Sequence, residues 1–188
     1  MPKPDSYIEI FLQPGEYYFG DAATRIRTLL GSCVAVTFWH PERRLGGMCH
    51  FLLPTRNRKL PGEGLPLDED SMLRLLRDTM ANRAAPAFFN RLDGRYGDEA
   101  ILLLIREAVS NHTDPLDYQV KVFGGGDMFP DMKKYGSLEI GSRNTSLAFT
   151  LLHGLKLPIA AQHVGGQGHR SLIFDVWNGH VWVKHDPQ

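Results

Sequence analysis

The sequence predicts an α+β domain with mixed or antiparallel sheets, and three observations predict it. Most apolar stretches are short, rich in β-branched and aromatic residues, and bounded by Gly or Pro. Asn178-Gly179 stands between two β-rich arms, residues 171–177 and 180–184, which is a strong hairpin signal. Firm helical patterning is confined to residues 98–111 and 145–153, so strands outnumber helices.

The elements follow in order. Residues 7–19 form a strand or loop pair broken at Pro14-Gly15. Gly31-Ser32 turns into residues 33–39, apolar and β-prone, which read as a buried strand. His40-Pro41-Glu42-Arg43-Arg44 is a turn, and residues 45–53, closed by Pro54, return as the second arm of a hairpin. On that arm Met48, His50 and Leu52 share one face, while Cys49, Phe51 and Leu53 share the other. Residues 55–95 carry Pro61-Gly62, Gly64, Pro66, the acidic run Asp68-Glu69-Asp70 and Pro86. They read as an insertion within one domain spanning residues 1–188, with a short amphipathic helix over 71–80 lying on the surface. The 98–111 helix opens on Asp98 and Glu99, ends at Asn111, and is apolar nearly all round, which predicts deep burial. Residues 118–123 alternate as a strand into Gly124-Gly125-Gly126-Asp127. Gly141-Ser142-Arg143-Asn144 precedes the 145–153 helix, with Gly154 as its left-handed terminator. Residues 157–164 form a strand that enters Gly165-Gly166-Gln167-Gly168.

Composition excludes several functions. The 188 residues hold 21 Lys plus Arg and 21 Asp plus Glu, so no broad positive footprint for nucleic acid is expected. The longest aliphatic run, residues 101–105, is far too short to span a bilayer, and the N-terminus lacks the apolar core of a signal peptide. Two cysteines do not make a disulfide framework, so a reducing cytoplasm with free thiols is expected. Cys33 and Cys49 are too far apart for a zinc step, and no metal or organic cofactor is expected. Neither glycine loop completes a phosphate-binding fingerprint, and no Gly-x-Ser-x-Gly elbow occurs.

Cys33 and His50 remain as chemistry candidates. Cys33 follows a Gly-Ser turn at the head of a strand, where backbone donors are open and the side-chain direction is set. As a free thiol it could equally be a small buried hydrophobe. His50 lies on the return strand within cross-strand reach, while Cys49, pointing the opposite way, is expected in the core.

Taken together the segments resemble the chemoreceptor glutamine deamidase family, CheD, of bacterial chemotaxis. The resemblance runs in order along nearly the whole chain. It passes through Leu12-Gln13-Pro14-Gly15-Glu16-Tyr17-Tyr18, then Thr28-Leu29-Leu30-Gly31-Ser32-Cys33-Val34-Ala35-Val36, then Gly46-Gly47-Met48-Cys49-His50-Phe51-Leu52-Leu53-Pro54. It continues through Arg95-Tyr96-Gly97-Asp98-Glu99-Ala100, Lys121-Val122-Phe123-Gly124-Gly125-Gly126-Asp127-Met128-Phe129 and Ile140-Gly141-Ser142-Arg143-Asn144. The family is expected to share its fold with toxin-type cysteine deamidases, a sandwich-like core of mixed sheets with outer helices. The 55–95 segment is longer than the family's usual linker there, and Cys49 stands where a small residue such as Ala is expected.

The resemblance implies a cysteine hydrolase that converts receptor Gln side chains to Glu plus ammonia. It makes Cys33 the nucleophile and His50 the base, with an upstream Thr, assigned to Thr28 in preference to Thr24, orienting the imidazole. His50 would take the thiol proton to give a thiolate–imidazolium pair, and a thioester would form and hydrolyse. Ser32 and the Cys33 turn are the expected oxyanion donors, and Gly124, Gly125, Gly126, Asp127, Ser142, Arg143 and Asn144 could line a shallow substrate groove. The implied partners are chemoreceptor cytoplasmic helices and a CheC-type phosphatase. Two other readings stay open: a non-catalytic adaptor for those partners, and methyl-ester hydrolysis at the same thiol.

Overall fold

A computed structural model describes residues 2–56, 69–81, 89–128 and 137–187. Among them nine strands form two mixed sheets. The smaller has the order β1 (Ile8–Phe11), β3 (Thr24–Leu30), β8 (His169–Asp175), β9 (His180–Asp186). The larger has the order β2 (Tyr17–Gly20), β5 (Leu45–Phe51), β4 (Val34–His40), β6 (Gln119–Gly124), β7 (Ile159–Val164). Pairing is antiparallel except β1 with β3 and β6 with β7. The helices are α1 (Glu69–Met80), α2 (Gly97–Ser110) and α3 (Ser137–Gly154).

The layers follow from strand alternation. Ile26 and Leu30 of β3 and Leu172 and Phe174 of β8 pack on Ala35, Met48 and Phe123 of the larger sheet, which makes a sandwich. The intervening residues Val34, Val36, Phe38, Cys49 and Phe51 face away from the small sheet and pack on α2 and α3. α2 meets β5, α1 and α3 on different sides, which is why its sequence is apolar nearly all round. The α+β class and the hairpin of β4 and β5 are as expected.

Several local expectations change. β3 is not among the strands expected above, yet its Thr-Arg-Ile-Arg-Thr alternation buries Thr24, Ile26 and Thr28 and turns Arg25 and Arg27 outward. Residues 141–144 do not precede a helix but lie inside α3. Gly141 reads as a breaker by propensity, yet a Cβ there would stand 2.8 Å from the Gly125 carbonyl, so close helix–loop packing selects glycine mid-helix. α3 is terminated by Lys156 at φ +60°, not by Gly154: Lys156 N–H bonds His153 O at 2.9 Å and Leu157 N–H bonds Leu152 O at 2.9 Å. The β8–β9 loop holds four residues instead of two, because Val176 and Trp177 are drawn into the interior. The 71–80 helix exists as part of α1, and Leu75 and Met80 pack on the helix-side core. Residues 57–68 and 82–88, nearly half of the expected insertion, lie outside the described residues.

Candidate active site

β3 and the β4–β5 hairpin bring the site together from both sheets. Ala35 pairs with His50, so the two side chains share the inter-sheet face, and Cys33, two residues before Ala35, packs on the same inter-sheet cluster. From the opposite sheet Thr28 points inward, and its Oγ1 lies 2.7 Å from His50 Nδ1. Thr24 shares that buried face one turn of the alternation further away, but Thr28 is the threonine on the imidazole.

The hydrogen bonds assign the tautomer. The Thr28 hydroxyl donates to Leu12 O at 2.9 Å. Its one proton is thereby used, so at His50 it accepts, and Nδ1 must carry the hydrogen. The lone pair is left on Nε2, a buried atom with no partner among the described residues. The His50 backbone is pinned as well: its N–H donates to Glu16 O at 2.9 Å and its carbonyl accepts from Gly15 N–H at 2.7 Å. The imidazole is thus oriented by three contacts while one nitrogen stays available as a base. The Leu12 carbonyl is a contributor that no side-chain motif could reveal.

Burial sets the resting protonation. It pushes the Cys33 thiol up and drives His50 down to about 4, against a smaller upward pull from the Leu12 carbonyl. Both directions favour the neutral thiol and the neutral imidazole before substrate binds, and the thiolate–imidazolium pair of the implied mechanism belongs to a later step. Proton transfer then belongs to the attack itself. Cys49, fully buried on the helix side, is pushed up to about 12 and is core, as expected.

The remaining candidates separate. Gly124, Gly125 and Gly126 are buried and brace the Cys33 turn: Gly125 N–H donates to Cys33 O at 2.8 Å and Gly126 N–H to Gly31 O at 2.9 Å. Gly124, at φ +111°, could not take a side chain without striking the Cys33 carbonyl. Asp127 is half-buried and ties this loop to the next, its N–H on Gly166 O at 2.7 Å and its carbonyl receiving Gly168 N–H at 3.1 Å. Beneath the two loops lies Arg170, a buried side chain not anticipated above, with Nε donating to His163 Nδ1 at 2.8 Å and Nη2 to Gly165 O. On α3, Ser142 and Arg143 are exposed and Asn144 is fully buried, its Nδ2 donating to Leu52 O at 2.8 Å and to Ser32 O at 3.3 Å. Ser32 is half-buried in the turn before the thiol. Among the described residues no cluster of three metal-ligating side chains occurs, and no helix is long and apolar enough to cross a membrane.

A partly exposed thiol packed on the inter-sheet cluster and a buried imidazole oriented through one nitrogen on the same face are groups suited to nucleophilic thiol chemistry. Residues 81–185 match the family described as CheD chemotactic sensory transduction. A protein of Pseudomonas syringae pv. tomato named "Probable chemoreceptor glutamine deamidase CheD" is 46% identical over 188 residues, covering 100% of this chain and 95% of its own. Relatives bearing the same name, numbered as paralogues, occur in Albidiferax ferrireducens (41% identity; 97% of this chain, 90% of the relative) and Leptospira interrogans (34%; 97% and 95%). The chain belongs to the CheD family.

Proposed function

We propose that this chain is a chemoreceptor glutamine deamidase in which Cys33 is the nucleophile, His50 the general base and Thr28 the residue that orients His50. The observation that carries the assignment is the Thr28–His50 hydrogen bond, which leaves Nε2 as a free acceptor on the face that Cys33 shares. The names of the relatives supply the substrate class.

The steps follow from those roles. Sγ attacks the carboxamide carbon of a receptor Gln as Nε2 takes the thiol proton, which forms the C–S bond and a tetrahedral oxyanion. Backbone N–H groups of the Ser32–Cys33 turn, next to the thiol in the chain, are the donors this reading assigns to that oxyanion. The imidazolium returns its proton to the leaving nitrogen, the C–N bond breaks and ammonia departs. Water, deprotonated by the same Nε2, adds to the thioester and expels the thiol, leaving Glu. The reading places the enzyme in the cytoplasm, on receptor cytoplasmic helices. Its second partner, a CheC-type phosphatase, rests on the family resemblance alone.

The test is ammonia release and the amide-to-acid mass gain on a purified chemoreceptor cytoplasmic fragment, with wild type and Cys33→Ala. A gain in wild type that is absent in the variant supports the reading. Binding without modification would instead favour an adaptor, and methanol release from methylated fragments would favour an esterase.

A further inference from the structure

We propose that Asn144 is a positioning residue that holds the Cys33 turn and the far end of the His50 strand to each other; the inference rests on the assignment of Cys33 and His50 above. The β4–β5 ladder ends at the Val34–Phe51 pair. Beyond it the two chains must diverge, one into the Gly31–Cys33 turn and the other into Leu52 and Leu53. Asn144 takes over where the ladder stops. One hydrogen of Nδ2 bonds Leu52 O at 2.8 Å, two residues past His50, and the other bonds Ser32 O at 3.3 Å, the residue before Cys33.

The orientation of the amide is fixed by its neighbours, because a flipped group would set Oδ1 against two carbonyl oxygens. In the observed orientation Oδ1 is buried and has no partner among the described residues. An apolar side chain of similar volume would relieve the unused acceptor but would leave the Leu52 and Ser32 carbonyls without these donors. Both donors are spent on the two segments that carry the thiol and the base. The amide also comes from a firm support. Asn144 lies inside α3, whose Gly141 packs against the Gly125 carbonyl, and Gly125 in turn holds Cys33 O. The distance between Sγ and Nε2 is therefore set from the helix layer, although neither reacting atom belongs to it. Misplacing a reacting pair by about 1 Å can cost about a hundredfold in rate.

The experiment uses the full chain with Asn144→Leu, Asn144→Asp and the double variant Asn144→Leu/His50→Ala. Three readouts are taken: melting temperature, kcat and KM for deamidation of a receptor fragment, and the iodoacetamide alkylation rate of Cys33. Asn144→Leu is expected to stay folded with a modestly lower melting temperature, while kcat at a temperature well below the transition falls about ten- to a hundredfold with KM nearly unchanged. Asn144→Asp is expected to be equally slow at neutral pH but to regain activity as pH falls, when the protonated acid recovers one donor. In the alkylation cycle His50→Ala is expected to slow wild type but to add nothing in the Asn144→Leu background. The proposal is overturned if Asn144→Leu keeps kcat within about threefold of wild type, if its loss tracks a fall in melting temperature that Asn144→Asp shares at every pH, or if the two alkylation effects simply multiply. If wild type releases no ammonia, the deamidase reading fails by itself, and the alkylation cycle still decides the role of Asn144.

Discussion

The two faces of the larger sheet are equally buried and chemically opposite. Toward the helices it presents Val34, Val36, Phe38, Cys49 and Phe51, all closed to solvent and all apolar. Toward the smaller sheet it presents Ala35, Thr37, Met48 and His50, opposite Thr24, Thr28 and Arg170. Thr37 Oγ1, His50 Nε2 and Arg170 Nη1 are buried there without partners among the described residues. A core built for stability alone would not leave such atoms unpaired. The two cysteines measure the contrast: the same thiol is inert in the dry layer and reachable at the mouth of the polar one. Burial by itself therefore says little about function; what matters is which polar atoms a buried residue meets and which it is denied.

The sharpest break in this comparison is Cys33→Ala, for which turnover on a receptor fragment should fall at least about a thousandfold, with an unchanged melting curve. An active Cys33→Ala protein would remove the thiol from the chemistry.

His50 gives the next effect, read through pH. The unfolded chain binds its proton near the ordinary His value, about 6.5, while the folded site resists protonation down to about 4. The folded state thus holds fewer protons between those values, so this contribution is complete above 6.5 and is lost as pH falls through 4. Its size is about 3 kcal/mol. Asp98, pushed up to about 7 by burial, runs the other way: its contribution is present at low pH and lost as pH rises through 7. The measurement is therefore the difference in urea stability between wild type and His50→Gln from pH 7 to 4. It should show wild type losing ground as pH falls, and a flat difference would mean that the imidazole is not held neutral. The acid limb of activity should likewise lie near 4 instead of near 6.5.

Thr28→Val comes third. It keeps the shape and removes the acceptor for Nδ1–H, so turnover should drop about ten- to a hundredfold, with recovery in Thr28→Ser. Equal rates for Val and Ser would assign the role to packing.

Cys49→Ala is the smallest. It should cost about 1–2 kcal/mol of stability as a core truncation and leave kcat and KM untouched. Under mild iodoacetamide Cys33 should be labelled and Cys49, held near 12 and fully enclosed, should not.

Much of this site was legible in the chain. The Cys33 turn and the faces of Met48, Cys49 and His50 follow from a period of two, and the order of the motifs led to the family. β3 was harder to see, because Arg25 and Arg27 interrupt its apolar residues. Their charges fit a strand only once Asp175 and Glu9 are found beside them, at 2.6 and 2.9 Å, on strands distant in sequence or paired across the sheet. Gly141 misled for a related reason. Its propensity is local, but its neighbour Gly125 is not.

Local sequence determined the strands that alternate, the hairpin and the all-round apolar helix, since each depends on near neighbours along the chain, whereas Cys33 and His50 were singled out by the resemblance of the whole chain to a family. Tertiary structure alone decided that Thr28 meets His50 across the sandwich, that the Leu12 carbonyl consumes the Thr28 proton, that burial pushes the Cys33 thiol up and the His50 imidazole down, and that Asn144 spans the end of the ladder. Those depend on distances between segments far apart in sequence and on how much water the packed layers exclude, and neither quantity is written in any short stretch of residues.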